Sequence, residues 1–563
     1  MKKLSKLIAM LIACIVTCTS AVACGPKGGG VPDIELDPNK ETILLEVFGG
    51  GFGTTWAIDV CNAWNKSEEG QASDYQFTLS KMDGHLDTVS DVATAISAGV
   101  ASADIIFCDD NNMTSLKMQA SKLLDLSDVW NATPDANKPN RTVKEKFFFA
   151  DEINEAFNAK VGGQDVKIAL PYTMGTSGIV YDVDLFEQME WLFTDSSTAN
   201  GLTVGRDGVE GTYDDGLPVT IDDYAELLNN ITTATMYPYI LYGTVDSAGT
   251  AHVINAITAQ YEGVASFVNG YDFTGEIYRD GQYIPVTART GYKVYEDYDA
   301  RAVAVQFLED YIVAKNPDGE YKYLDPKTDD VNHLKSESNF VYSHDNGGRR
   351  IAMTINGAWW ENEAKAAFNE EKAIGNPGYG ERRFAFMPAP TFDGQNPDST
   401  KAVFSVNTFG SCFAVKSSDA GKNNAMKSFL TFYSSNAGLN MFNKAVGVAP
   451  GYKFEIEDDV YDSLTHFGKV YYEICNSEYV EIVAPTVYTY LSPINYSSTK
   501  SPNRLVKSDS AYEPPFKMMV RVSDAKKMTA NDIIEAWKAE WTVEKWGTLI
   551  ADLEARGFVI PQD

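Results

Sequence analysis

The sequence predicts an α/β fold built on a parallel, doubly wound sheet and divided into roughly two to three domains. Three observations carry this. From Thr42 onward, short apolar runs alternate with amphipathic segments, the pattern of strand–helix–strand units. At 563 residues the chain is too long for a single hydrophobic core. With 44% hydrophobic and 12% aromatic residues it is globular and not disordered.

The chain opens on a targeting signal. Lys2, Lys3 and Lys6 precede an apolar run, Leu7 to Val16, that is too short to span a bilayer stably. Ala21-Val22-Ala23-Cys24-Gly25 follows and resembles a bacterial lipobox, in which Cys24 becomes the lipidated first residue. Val22 is larger than that motif usually has, and Ser20 stands where leucine is common. The alternative is plain secretory cleavage after Ala23. Either route makes 1–23 a signal peptide and places the protein outside the cytoplasm. With lipidation the protein is anchored to the cell membrane, and 24–41 is a Gly/Pro-containing tether. No later stretch is apolar enough to span a membrane.

Removing the signal removes three lysines and no acids, leaving 44 basic against 78 acidic residues, a net charge of −34. Such acidity argues against nucleic acid or an anionic lipid surface as partner and suits a neutral solute. Beyond the signal, Cys61, Cys108, Cys412 and Cys475 are widely spaced with no CxxC pair. Neither a zinc site nor a disulfide framework is indicated, and buried thiols are expected.

In order, Thr42 to Val47 predicts a buried strand running into the glycine-rich loop Phe48 to Gly53. The helix beyond it has Ala57, Val60, Cys61 and Trp64 as its buried face. The dinucleotide fingerprint is not met, because Thr54 stands at the last glycine position and no Walker lysine follows. The loop reads as a place where a ligand approaches the backbone. Strands are predicted at Tyr75 to Lys81 and Ala103 to Cys108, with a helix over Thr88 to Ser97 between them. The second strand opens into Asp109-Asp110-Asn111-Asn112, either polar groups at a crevice or a helix N-cap cluster. Ser121 to Trp130 predicts a helix with a short turn, and Val166 to Pro171 and Ile179 to Tyr181 predict strands. The segment Tyr172 to Gly178 between the last two suits a crossover that must bend.

From Asp195 to Pro218 the chain is loop-like. Asp207, Glu210, Asp214 and Asp215 sit among glycines, either an oxygen cage for Ca²⁺ or a solvated acidic turn; EF-hand spacing is absent. Thr220 to Asn230 predicts a capped helix. Helices over Ala251 to Glu262 and Ala302 to Ile312 flank a hairpin turning at Arg279-Asp280-Gly281. In Arg349 to Ala364, a buried strand (Ile351 to Ile355) ends where Asn356-Gly357 favours a positive-φ turn, and a helix starts among Glu361 and Glu363. Trp359 and Trp360 are core or cleft residues. Adjacent helical side chains point about 100° apart, so at most one faces a cleft. Strands follow at Arg383 to Pro388 and Ala402 to Asn407. Amphipathic helices carry Met426, Phe429, Leu430 and Tyr433, then Trp546, Leu549, Ile550 and Leu553, with Gly557 as C-cap.

No catalytic template is present: no HExxH, GxSxG or P-loop, and five histidines none of which are paired at ligand spacing. Carboxylate pairs are expected by chance among 78 acids.

The order of segments resembles the extracellular solute-binding proteins of ABC importers. The lipobox is followed by ILLEVFGGGF, ISAGVASADIIFCDD and IALPYTMGTSGIVYDVDLF; then RRIAMTINGAWWENEA, FAFMPAPTFDG and AMKSFLTFYSSNAGLNMFNKAVGVAP resemble the carbohydrate-binding, maltose-binding-protein-like branch. The matches span about 42 to 452, with unmatched insertions at 195–220 and 240–345. The resemblance implies a type II periplasmic-binding-protein-like fold of two α/β lobes on a hinge, one over 42–172 with 401–452 and the other over 173–400 with 453–563. It implies a monomer without enzymatic activity that captures a carbohydrate, an oligosaccharide given the many aromatics, and passes it to a membrane permease. A non-sugar solute stays within the same class. It places Trp359 on the family's sugar-stacking tryptophan, and Asp109, Asp110, Tyr172, Asn407, Phe48 and Phe52 at or near ligand positions, with Tyr488 or Tyr490 as a second stacking ring. Trp360 then falls to the core. A surface-anchored glycoside hydrolase and a non-transport glycan adhesin are the alternatives.

Overall fold

Residues 34–561 are described by the computed structural model, except 81–88, 109–112, 136–140, 235, 241–247, 297–298, 331, 344–349, 449, 497–514 and 521–526. The branched run Glu41–Val47 forms strand β1, and the loop after it feeds helix α1 (Thr55–Lys66). Trp56, Ala57, Val60, Cys61 and Trp64 line the buried side of α1, as their spacing requires. The chain continues with β2 (Tyr75–Leu79), α2 (Val89–Ala98) and β3 (Ile105–Cys108). β1 pairs in parallel with both β2 and β3.

Next comes β4 (Leu170–Asp182), 13 residues long and buried throughout. It runs unbroken through the segment whose threonines and glycines suggest a bendable crossover. Then come α3 (Ile221–Thr233), β5 (Tyr237–Ile240), α4 (Ala248–Glu262), α5 (Asp299–Tyr311), β6 (Ile351–Gly357), the single-turn α6 (Trp360–Glu363) and β7 (Phe384–Met387). Thr220 caps α3 in a box with Asp223, as expected. A second 13-residue strand, β8 (Ala402–Ala414), precedes α7 (Ala420–Tyr433), α8 (Asn436–Val446), α9 (His466–Asn476), β9 (Val480–Val483), α10 (Ala530–Glu540) and α11 (Val543–Ala555).

Nine strands form one sheet in the order β2-β1-β3-β8-β4-β6-β5, with β7 also on β4 and β9 also on β8. It is mixed and not all parallel as expected, because β8 runs antiparallel to β3 and β4, and β4 antiparallel to β6 and β7. The two long strands tie its halves together. The early part of β4 pairs with the late part of β8, and the late part of β8 with β3. Past Ser177, β4 pairs instead with β6 and β7, while the early part of β8 pairs with β9. Register shifts at Val406/Thr408 and Phe409/Ser411 break the ladder where the strands cross.

Some expectations are corrected. Ser121 to Trp130 is a 3₁₀ turn, Ala120–Lys122, and a separate short helix, Ser127–Asn131. Val166 belongs to a hairpin, Asn158–Val161 with Gln164–Lys167, ahead of the crossing strand. The second hairpin turns as expected, with positive φ at Asp280 and Gly281. Cys61, Cys108 and Cys412 are buried and Cys475 is half-buried, all as free thiols. The insertion around Phe273 to Ala300 shares a second, smaller core with Trp537, Trp541 and Trp546.

Candidate functional site

The site is built where β1 and β6 end on opposite sides of the crossing strands. The β6 strand runs two residues farther than its sequence suggests, through Gly357, which pairs with Ser177. Gly357 is not in the positive-φ region. Glycine is required there for space: a Cβ would sit inside the ring of Trp359. The indole therefore lies against bare backbone. Asn356 donates its amide to Glu337 Oε1 at 2.8 Å and accepts the Gly357 N–H at 2.7 Å, which fixes the end of the strand.

Trp359 is the N-cap of α6 and is half-buried. Its ring meets Phe52 edge-on, with centroids 5.8 Å apart, and covers Gly51, where a Cβ would again collide with it. Asn362, one turn along, donates its amide to the Gly51 carbonyl, and Lys365 holds the Asn362 oxygen. The glycine-rich loop after β1 thus receives the α6 turn onto its backbone.

Trp360 points the other way. It is 0% exposed and packed among Phe384, Phe340, Phe467 and Phe368. Beside it Glu361 is 4% exposed and accepts the Thr465 hydroxyl at 2.5 Å, while its second oxygen has no hydrogen-bond partner. Burial outweighs Thr465, Lys365 and Arg382 and pushes this carboxyl up to about 7. Burial, then Glu363, likewise holds Glu337 well above the usual carboxylate range.

A profile of the bacterial extracellular solute-binding proteins matches residues 55–439. The chain belongs to that family. Among solved structures, a chitin oligosaccharide binding protein superposes with a TM-score of 0.53 at 13% identity, covering 90% of this chain and 100% of the other. A structure from work on xylan utilisation by Caldanaerobius polysaccharolyticus superposes at 0.51 with 14% identity, covering 89% of this chain and 99% of the other. The shared two-lobe fold is that of type II periplasmic binding proteins. No curated protein matches the chain.

In this solute-binding protein the expected ligand residues do not all gather at one place. Trp359, Phe52 and the loop carrying Phe48 do. Asn407 lies on β8 with its amide 3.0 Å from Ser177 Oγ. Tyr172 is 0% exposed and packed against Phe107, Trp56 and Phe442, with the Phe52 ring 6.2 Å from its own, so it lies beneath the site and not on its surface. Tyr488 is also core, against Phe149 and Tyr271. Tyr490 is half-buried, and its hydroxyl accepts the Met113 N–H at 3.2 Å, just past β3. Asp109, Asp110 and Cys24 lie outside the described residues. Sequence reasoning missed Asn362, which carries no motif beyond its place one turn after Trp359.

The acidic loop is held by its own carboxylates. Asp214, 1% exposed, accepts the Arg206 and Asp207 N–H groups and the Thr212 hydroxyl. Glu210 accepts the Ala199 and Asn200 N–H groups, and Asp215 accepts Gly211 N–H and the Asn200 amide. Asp207 Oδ2 and Asp215 Oδ1 are buried with no hydrogen-bond partner. Among the described residues no group of three or more His, Cys, Asp or Glu converges on a metal position.

Proposed function

We propose that this chain is the capture component of an ABC importer, a monomer anchored by lipidated Cys24, that closes over a neutral carbohydrate, in particular an oligosaccharide, and delivers it to a permease. The observation that carries the reading is the Trp359 indole, held half-open between Gly357 and the Phe52 loop. A sugar's C–H face packs on such a ring, and its hydroxyls need the amides and hydroxyls nearby. We divide the lobes at 42–172 with 401–452 and 173–400 with 453–563, so that two of the three divisions fall at the long shared strands. The two solved structures named for chitin oligosaccharides and xylan utilisation set the solutes to try first.

Binding is favoured over hydrolysis by two carboxyls buried beside the α6 turn and its strand. Glu361 is engaged with Thr465 and Glu337 with Asn356, both in the packing behind the strand. A glycosidase needs two carboxyls flanking the scissile bond.

The test is thermal unfolding against xylo-, chito- and malto-oligosaccharides and raffinose, with scattering on any solute that stabilises. Capture predicts a midpoint rising with ligand as RT ln(1 + [L]/Kd) and a smaller radius of gyration. No shift from any solute overturns the reading; stabilisation without compaction favours an adhesin, and product formation favours an enzyme.

We also propose Ca²⁺ at the acidic loop, supported by the two buried, unpartnered carboxylate oxygens of Asp207 and Asp215. Backbone carbonyls or water would complete the shell.

A further inference from the structure

Glu337 reaches the Trp359 turn from the insertion at 240–345. It lies on the helix His333–Tyr342, which Asn332 caps, and it is 2% exposed. Its Oε1 accepts the Asn356 amide at 2.8 Å, at the end of β6. Its carboxyl also hydrogen-bonds Glu363, the residue that ends α6. Asn356 stands before Trp359 in the chain and Glu363 after it, so one buried carboxyl grips the turn at both ends.

Two carboxyls hydrogen-bond each other only while one of them keeps a proton. The Glu363 side chain is 18% exposed and has His333 Nε2 3.8 Å from its Oε1, so it is the better seat for the charge, and buried Glu337 for the proton. On the helix Lys365–Ala373, which packs against the Glu337 helix, Lys365 holds Asn362, Glu370 the Tyr342 hydroxyl, Glu371 the Asn376 amide and Lys372 Glu381. Arg382 holds Asp182 and the Val341 carbonyl, Lys335 lies over the Tyr342 ring, and Glu361 accepts the Thr465 hydroxyl. β6 carries no charge, and β5 brings only Tyr237 and Tyr239.

We propose that Glu337 is a positioning residue for the solute platform: a proton held between it and Glu363 fastens both ends of the turn that carries the Trp359 indole, and loss of that proton loosens the turn. Without the proton, two carboxylates face each other in a buried space, where like charges repel and solvation is poor. Glu363 is drawn out toward His333 and water, and the turn it ends moves with it. The indole then leaves its seat on Gly357, so solute affinity falls as pH rises. The two carboxyls titrate as one unit.

The inference rests on Trp359 as the surface that meets the solute, and the experiment separates the two. Glu337→Gln is the deciding variant. Its amide oxygen accepts from Asn356 and its NH₂ donates to the Glu363 carboxylate, so both bonds persist with no proton to lose. Glu337→Leu loses both. All proteins carry Glu361→Gln, which removes the other titrating carboxyl of the turn. They are labelled with fluorotryptophan, and fluorine NMR follows the nine tryptophans without ligand, Trp359→Phe assigning the resonance of interest. The range runs from about pH 5 to about pH 9.

With Glu337 in place the Trp359 resonance should move in one step as pH rises. In Glu337→Gln it should stay at the acid position throughout, and in Glu337→Leu it should be displaced from it at every pH. Calorimetric titration with xylotriose, raffinose and chitotriose should show affinity falling about tenfold across the same range with Glu337 and staying level with glutamine. A Trp359 resonance that ignores pH overturns the proposal. So does a step that survives in Glu337→Gln, which would belong to His333, and so does a glutamine variant that matches leucine at every pH. A resonance that moves while affinity for a bound sugar stays level overturns the positioning role. If none of the three sugars binds, the capture reading falls and the resonance alone decides whether Glu337 holds the turn.

Discussion

Asn362 donates its side-chain amide to the carbonyl oxygen of Gly51, so the turn that carries Trp359 is fastened to the loop after β1. The indole lies over Gly51 in the same contact. Among the described residues, the loop after β1 and the α6 turn meet through this hydrogen bond, the indole over Gly51 and the ring edge on Phe52.

That join should be easy to break. In Gly51→Ala the new methyl occupies the indole position, so Trp359 must swing away. In Asn362→Ala one hydrogen bond is lost, about 0.5–1.5 kcal/mol. Both variants are expected to give a larger radius of gyration than wild type in ligand-free scattering. Identical profiles would show that the contact does not set the degree of closure.

The paired tryptophans should separate cleanly. Trp360 has no exposed surface and four aromatic neighbours, so Trp360→Ala should cost about 3–5 kcal/mol in denaturant unfolding. Trp359 is half-buried, and Trp359→Ala should cost under about 1.5 kcal/mol of stability while lowering sugar affinity about 10- to 100-fold. A reversal of these two patterns would exchange their roles.

Much of this was legible in the chain because local signals agree with tertiary structure. The apolar run ending at Cys108 stops at Asp109, and the one ending at Val47 gives way after Phe48 to three glycines. The Thr220–Asp223 box starts its helix, and Trp360 falls one helical step from Trp359. What misled was the middle of β4. Thr-Met-Gly-Thr-Ser-Gly has low strand propensity, yet pairing with β8 on one edge and then β6 and β7 on the other keeps it extended. Within it, Tyr172 and Thr173 together oppose Gly410 across a register shift, which no local pattern records, and Tyr172 joins the core. Gly357 misled differently: its role is to admit a ring, which no turn statistic records. The Glu337–Asn356 contact spans 19 positions and has no local trace.

If calcium sits in the acidic loop, chelation should lower the melting midpoint and added Ca²⁺ should restore it. Asp215→Asn, which leaves the Gly211 and Asn200 bonds an oxygen acceptor, should abolish the calcium response. Equal midpoints in chelator and in calcium would leave the loop as a turn held by its own N–H groups.

Glu361 sets the pH dependence of stability near the site. Its carboxyl titrates at about 7 in the folded chain against an ordinary 4.5, chiefly because the charged form is buried. Below 4.5 both folded and unfolded chains hold the proton and nothing is lost. Between 4.5 and 7 the unfolded chain releases it while the folded chain keeps it, so stability falls as pH rises, and above 7 the full penalty stands. That penalty is roughly 3 kcal/mol. In Glu361→Gln the amide oxygen still accepts the Thr465 hydroxyl, but no charge is buried. The variant should match wild type near pH 4.5 and exceed it by roughly that amount at pH 8, measured as denaturant midpoints across the range. A difference that stays constant with pH would mean that the ionisation of Glu361 is not what the surrounding aromatic packing resists.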